Sequence, residues 1–259
     1  MKIALAGYGK MGHMIEAAAK LRGHDVVATI DISAPDASVR VSSAAELADV
    51  VEKCGADGVI EFTHPTSVLE NIRALVPMGI PVVVGTTGWM DKLDEVISLV
   101  KSSNGSLFYS SNYSIGVNMF YRMVKNAATL MAQYEEYDVA VWEAHHRQKA
   151  DSPSGTALDI AKLIMEANPG KNEMIFDAFH ERPQNNQLHV SSTRIGSVPG
   201  THTVYFDSAV DSIELTHTAR NREGLAMGSV RAMEWLFSGL EGGSLTRGQT
   251  YNMDNMLSK

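Results

Sequence analysis

The chain has 259 residues, of which 44% are hydrophobic and 20% charged, a globular composition with length for one large or two modest domains. Its formal net charge of −8, from 22 basic and 30 acidic side chains with no long run of either sign, argues against a nucleic-acid-binding surface. A single cysteine, Cys54, excludes an intrachain disulfide and a cysteine-rich zinc site, and no apolar stretch approaches the ~20 residues of a membrane span.

In chain order, Lys2-Ile-Ala-Leu-Ala6 is a short strand of the buried type, without the longer apolar core of a signal peptide, so a cytoplasmic protein is expected. The turn Gly7-Tyr-Gly9-Lys-Met-Gly12 follows, then a helical pattern over 14–21, a break at Gly23, and a second strand over 25–31 that ends in Asp31. Strand, glycine turn, helix, strand and acid in this order make a dinucleotide site. Gly7 permits the tight turn, Gly9 lets the backbone approach a pyrophosphate, and Gly12 allows close helix–strand packing. The pyrophosphate would lie on the helix N-terminus, and Asp31 would accept from the adenosine ribose hydroxyls.

Alternation then continues. Helices are predicted over 44–53, 66–75 and 91–101, and strands over 58–62, 81–84 and 106–110. Gly85-Thr-Thr-Gly88 stands at the C-terminal end of a strand, where open α/β sheets bind ligands. The sum is a doubly wound, largely parallel Rossmann-type sheet. Beyond Asn112 the pattern changes. One long helix spans 118–133, with Met119, Met123, Ala127 and Leu130 on a shared face that reads as core. Residues 137–142 alternate as a strand, and 157–167 as a helix with Ser154 as its N-cap. Between them a loop carries His145, His146 and Lys149, and Gly155 and Thr156 occupy the helix's first turn. Free N–H groups there offer a seat for a carboxylate, so a histidine, a lysine and an anion seat together suggest proton transfer to an acidic substrate. Strand-like runs at 188–194, 201–206 and 212–217, with no helices between them, indicate a second α+β domain with a mixed sheet. An amphipathic helix over 224–240 and a polar tail over 251–259 complete the chain.

The run Glu143-Ala-His-His-Arg-Gln-Lys149-Ala-Asp-Ser-Pro-Ser-Gly-Thr-Ala157 resembles the signature of the dihydrodipicolinate reductases of lysine biosynthesis. Gly7–Gly12, Gly85–Gly88, Ser111-Asn-Tyr-Ser-Ile-Gly-Val-Asn118 and His217-Thr-Ala-Arg-Asn-Arg222 agree in the same order. The resemblance implies NAD(P)H-dependent reduction of 4-hydroxy-tetrahydrodipicolinate in the diaminopimelate and lysine pathway. It assigns Gly7, Tyr8, Gly9, Lys10, Met11, Gly12, Asp31, Gly85, Thr86, Thr87, Ser110, Ser111, Asn112 and Tyr113 to the cofactor. It makes His145 and Lys149 the proton-transferring residues and gives His146, Gly155 and Thr156 to a cyclic dicarboxylate substrate. It also implies a dinucleotide domain of 1–114 joined by 223–259, a substrate and oligomerisation domain of 115–222, and a homotetramer. Tyr113 stands where phenylalanine is common in the family, a mild change.

One departure bears on the cofactor. Members of the family that use NADPH well place a basic residue just after the acid, whereas Asp31 is followed by Ile32 and Ser33. NADH is therefore the expected preference, with some NADPH use aided by Lys10. No metal is expected, since the histidine pair has no third ligand at suitable spacing. His13, His24, His64, His180, His189 and His202 read as surface or packing histidines, and Arg220 and Arg222 receive no role. Two other classes share the glycine turn. An aspartate- or homoserine-type dehydrogenase should lack the 149–156 run, and a non-catalytic nucleotide sensor should have lost His145 or Lys149; both features are intact.

Overall fold

The computed structural model describes residues 1–258, and contacts divide the chain into Met1–Ile115 with Glu223–Lys259 and Gly116–Arg222. In the first unit the strands β1 (Lys2–Ala6), β2 (Asp25–Asp31), β3 (Val39–Arg40), β4 (Gly58–Glu61), β5 (Pro81–Val84) and β6 (Ser106–Tyr109) join β12 (Gln249–Tyr251). They form one seven-stranded sheet in the order β12-β6-β5-β4-β1-β2-β3, with every pair parallel. This is the doubly wound order, and its reversal point lies between β1 and β4. Both faces of the sheet are covered, so β4 and β5 are buried at every residue and do not alternate. One face packs on α2 (Ala44–Cys54), α3 (Val68–Leu75) and α4 (Leu93–Ser102), the other on α1 (Lys10–Leu21) and α7 (Glu223–Glu241). A short 3-10 turn over Met90–Lys92 precedes α4.

In the second unit β7 (Asp138–His145), β8 (Glu173–Ile175), β9 (Gln187–Arg194), β10 (Thr201–Asp207) and β11 (Ser212–Thr218) form a five-stranded sheet in the order β11-β10-β7-β9-β8. The β10 pairings are antiparallel and the β9 pairings parallel, so the sheet is mixed. Helices α5 (Ile115–Met131) and α6 (Gly155–Ala167) cover one face, where Val139, Val141, Leu188, Val190, Val204 and Phe206 meet Phe120, Val124, Ile160 and Ile164.

Three sequence expectations need correcting. The core stripe of α5 is Val117, Phe120, Val124 and Ala128, whereas Met123 and Leu130 are 52% and 62% exposed. Both stripes have helical spacing, and a long apolar helix does not reveal by periodicity which one meets the sheet. The expected polar tail is ordered structure. Its strand β12 pairs with β6, and α8 (Met253–Leu257) follows with an Asn252 capping box and a buried Met253; Lys259 lies outside the described residues. Helix α1 begins at Lys10 rather than Met14, so its first turn includes part of the glycine motif. Among the described residues, no helix is long and apolar enough to cross a membrane.

Candidate active site

In the first unit the glycine turn connects β1 to α1 at the reversal point of the sheet. Gly7 has φ +92°, and a Cβ there would stand 2.0 Å from the Phe62 carbonyl oxygen, so only glycine fits. A Cβ on Gly12 would lie 2.4 Å from the Gly7 carbonyl oxygen, which explains the close packing of helix on turn. Nothing within the protein restricts Gly9, which is open on the side a ligand would approach. Gly9 caps α1 without a side-chain hydrogen bond, leaving first-turn N–H groups for an anion. An open cleft of about 360 Å³ runs from Gly9, Lys10 and Met11 past Thr63 to Gly85, Thr86 and Thr87. These features fit a dinucleotide, and they bring the glycine turn and the Gly-Thr-Thr loop to one cleft.

Asp31 closes this site. Its carboxylate accepts from the N–H groups of Tyr8 at 2.7 Å, Ser33 at 2.8 Å and Ala34 at 2.9 Å. Partial burial opposes ionisation, but these bonds outweigh it and hold the carboxyl below the usual carboxylate range. Tyr8 is buried, stacks on His13 at 4.1 Å and bonds to Glu16 through its hydroxyl, so its backbone is the part left to the turn. The 110–113 segment divides. Ser110 and Ser111 border a small cavity with Thr86 and Thr87, while the Asn112 side-chain oxygen accepts from the Ser114 N–H. Tyr113 is buried in the core, where its hydroxyl donates to the Val84 carbonyl at 2.6 Å. Its side chain is a packing element of the sheet.

The second unit builds its site by continuing the core face of the sheet. Side chains alternate along a strand, so Val139, Val141, Glu143 and His145 share one face of β7. Opposite them the same face carries Leu188, Val190, Ser192 and Arg194 on β9, and Phe206, Val204 and His202 on β10. All three strands change from apolar to polar at the same level, beside the start of α6. His145 is thus the last residue of the strand and not a loop residue, with His146 just beyond it. That places adjacent histidines at a strand's end, where the alternation of faces no longer separates them.

Ser154 caps α6 as expected, its hydroxyl accepting from the Ala157 N–H at 3.2 Å. Among the described residues the Gly155 and Thr156 N–H groups meet no acceptor, and a Cβ on Gly155 would meet nothing within 4 Å. The seat for an anion is open. Lys149 holds Asp151 at 2.8 and 2.9 Å, so its ammonium stands at the mouth of the same loop. Burial pushes the His145 imidazole below its ordinary pKa, the nearby Lys149 and Arg194 cations add to this, and Glu143 opposes it.

Sequence patterns gave no role to Glu143, Arg194 or His202. Glu143 is fully buried, and its carboxylate meets His145 Nδ1 at 2.5 Å, Arg194 Nη2 at 2.9 Å and the Ser154 N–H at 3.3 Å. His202 lies 3.2 Å from the Ser154 hydroxyl, and burial lowers its pKa to about 4, so it is neutral at pH 7. A signal was present: a charged residue two places beyond Val141 on an apolar strand face must have a buried partner. Donor atoms of Glu143, His145 and His202 come within 4.8 Å of one another, a three-group cluster that leaves out His146 and that spacing along the chain did not reveal. The Arg194 guanidinium already neutralises this carboxylate, so the cluster is an ion-pair network.

Comparison with known proteins agrees along the whole described chain. Residues 1–113 match the family model for the N-terminus of dihydrodipicolinate reductase, and residues 116–257 match the model for its C-terminus. A 4-hydroxy-tetrahydrodipicolinate reductase of Christiangramia forsetii is 38% identical over 236 residues, covering 91% of this chain and 92% of the relative. One from Archaeoglobus fulgidus is 35% identical over 250 residues, covering 91% and 94%. Among solved structures, a dipicolinate-bound dihydrodipicolinate reductase from Paenisporosarcina sp. TG-14 superposes with TM-score 0.76 at 20% identity, covering 99% of both chains. An engineered D-amino acid dehydrogenase bound to NADP+ shares the fold at TM-score 0.56 and 12% identity, covering 97% and 92%.

Proposed function

The chain belongs to the dihydrodipicolinate reductase family, and from that premise we propose which of its residues carry the reaction. It is an oxidoreductase of diaminopimelate and lysine biosynthesis that reduces 4-hydroxy-tetrahydrodipicolinate with NAD(P)H. A bound nicotinamide supplies the hydride. In our reading Gly7 to Gly12, Gly85, Thr86, Thr87 and the 110–113 segment hold the cofactor, with Tyr113 acting by packing, and Asp31 takes the ribose hydroxyls. The substrate is a cyclic dicarboxylate. One carboxylate sits on the Gly155 and Thr156 N–H groups, where the α6 dipole favours negative charge, and His146 flanks it.

Loss of the 4-hydroxyl as water makes the ring conjugated, and hydride addition to it leaves electron-rich character that must end as a new C–H bond. Lys149 turns from Asp151 to the substrate and stabilises that charge with its ammonium. His145 moves the proton at Nε2. A bound dianion raises the imidazole's affinity for a proton and offsets the effect of burial. The observation that carries this reading is the convergence of an open helix N-terminus, a buried histidine and a lysine at one end of one sheet. Assembly as a homotetramer and a cytoplasmic location are proposed on the family's pattern alone.

Cofactor oxidation tests the assignment, with substrate made in situ from aspartate semialdehyde and pyruvate. Lys149→Ala should lose about 10²- to 10³-fold in kcat while its affinity for NADH, read by fluorescence, stays unchanged. Turnover by the variant within a few-fold of the wild type would remove Lys149 from the mechanism.

A further inference from the structure

Glu143 is 0% exposed, and a carboxylate in such a place costs several kcal/mol unless it is paired and hydrogen-bonded. Its partners belong to three separate elements: His145 at the end of β7, Arg194 on β9 and the Ser154 N–H at the cap of α6. Burial opposes ionisation of Glu143, but its bonds from Arg194 and the Ser154 N–H overcome it and keep the carboxyl ionised at neutral pH. Glu143 Oε2 stands 2.5 Å from Nδ1 without hydrogen-bond alignment in this structure, and a small turn of the ring brings Nδ1–H onto the carboxylate and leaves Nε2 for other chemistry. Nε2 faces Gly200, the residue that leads into β10, where a Cβ would stand 2.9 Å away. The ring therefore has one carboxylate behind it and a glycine making room in front.

We propose that Glu143 is the positioning residue for proton transfer by His145, fixing the ring's orientation and tautomer with Nδ1–H directed at its carboxylate and Nε2 directed at the substrate. The arrangement works as the carboxylate–histidine half of a hydrolase triad does, without any nucleophile. It also explains why Arg194 is there. Arg194 bonds to Glu143 through Nη2 and to the Thr193 carbonyl at 3.0 Å through Nη1, which fixes the carboxylate that fixes the histidine. The charged and titratable groups facing His145 are Glu143 on its own strand, Arg194 on β9, His202 on β10 and Lys149 on the following loop. Glu143 is the only anion among them. This inference rests on the role given to His145 above.

The test compares Glu143→Gln, Glu143→Ala, His145→Gln and the double variant Glu143→Gln/His145→Gln. It uses kcat and KM across pH, together with imidazole nitrogen NMR of the labelled enzyme. In the wild type His145 should carry its proton on Nδ1, and in Glu143→Ala on Nε2. Glu143→Gln keeps the shape and loses the charge, so kcat should fall about 100-fold while KM stays within about 2-fold. Loss of the anion makes the imidazolium harder to form. The limb of the kcat profile that follows His145 protonation, where activity falls as pH rises, should therefore move to lower pH. The double variant should be no slower than His145→Gln alone, because Glu143 acts through that ring. A folded Glu143→Gln with wild-type kcat and an unmoved profile overturns the proposal, as does a double variant whose losses multiply. Should Glu143→Ala fail to fold, the isosteric variant carries the decision. Full activity in His145→Gln would defeat the role of His145 itself, while the NMR tautomer still decides the pairing.

Discussion

Among single residues, Asp31 is the side chain whose geometry says most about the cofactor. Three N–H bonds, from Tyr8, Ser33 and Ala34, leave the carboxylate no freedom to swing away from an incoming 2′-phosphate. Those bonds also lower its pKa, so it stays charged at neutral pH. Repulsion therefore cannot be relieved by movement or by protonation. We expect kcat/KM for NADH to exceed that for NADPH by about tenfold, a difference of about 1.4 kcal/mol. Asp31→Asn, which keeps an acceptor and removes the charge, should narrow the ratio. Steady-state kinetics with both cofactors checks this, and an NADPH preference in the wild type would refute it. The acid and its missing basic neighbour are legible in the sequence; that the acid is immobile is a finding of the structure.

One level up, β7 and α6 show how a strand and a helix divide the work of a site. The strand carries the titrating groups on its core face, where neighbouring strands hold them by register. The helix carries no titrating group in its first turn and contributes backbone N–H groups. Ser154 joins the two, since its hydroxyl caps α6 while its N–H donates to Glu143. Ser154→Ala should destabilise the protein by about 1 kcal/mol, the usual cost of a lost N-cap. It should also raise the substrate KM several-fold by loosening the first turn, with cofactor affinity unaltered. Chemical denaturation and substrate titration measure the two effects, and a stability loss with an unchanged KM would separate the cap from the seat. The spacing of apolar residues along the chain is enough to reveal both β7 and α6. It ends the strand three residues early, at Trp142 rather than His145, because Glu143 and His145 read as polar when they in fact continue the buried face.

For the molecule as a whole, residues 249–258 matter more than their polarity suggests. Through β12 they extend the sheet beyond β6, with Tyr251 against Trp235 at 5.5 Å between ring centroids and Met253 in the core. Truncation before Gln249 would expose the backbone edge of β6 and part of the apolar cluster beneath α7. Burial of two large side chains and a strand pairing together contribute several kcal/mol, so the midpoint of thermal unfolding should fall by roughly 10 °C. A calorimetric scan of the truncated chain, compared with the full one, decides it; an unchanged midpoint would mean that β12 is only an ornament of the sheet.

Local chemistry along the chain suffices for the doubly wound sheet, the glycine turn with its acid and the capped helix after the 143–157 run, and the resemblance carried by that run suffices for the family. Glycine at φ +92°, a serine cap and a period of two or 3.6 are all written in neighbouring residues. Folding in three dimensions was needed to choose the core stripe of α5, to pair the polar tail with β6, and to gather Glu143, Arg194 and His202 around His145. The first depends on which face of a helix meets the sheet and the others on register between strands far apart in the chain, and both are set by the packing of whole faces and not by any one residue's preference.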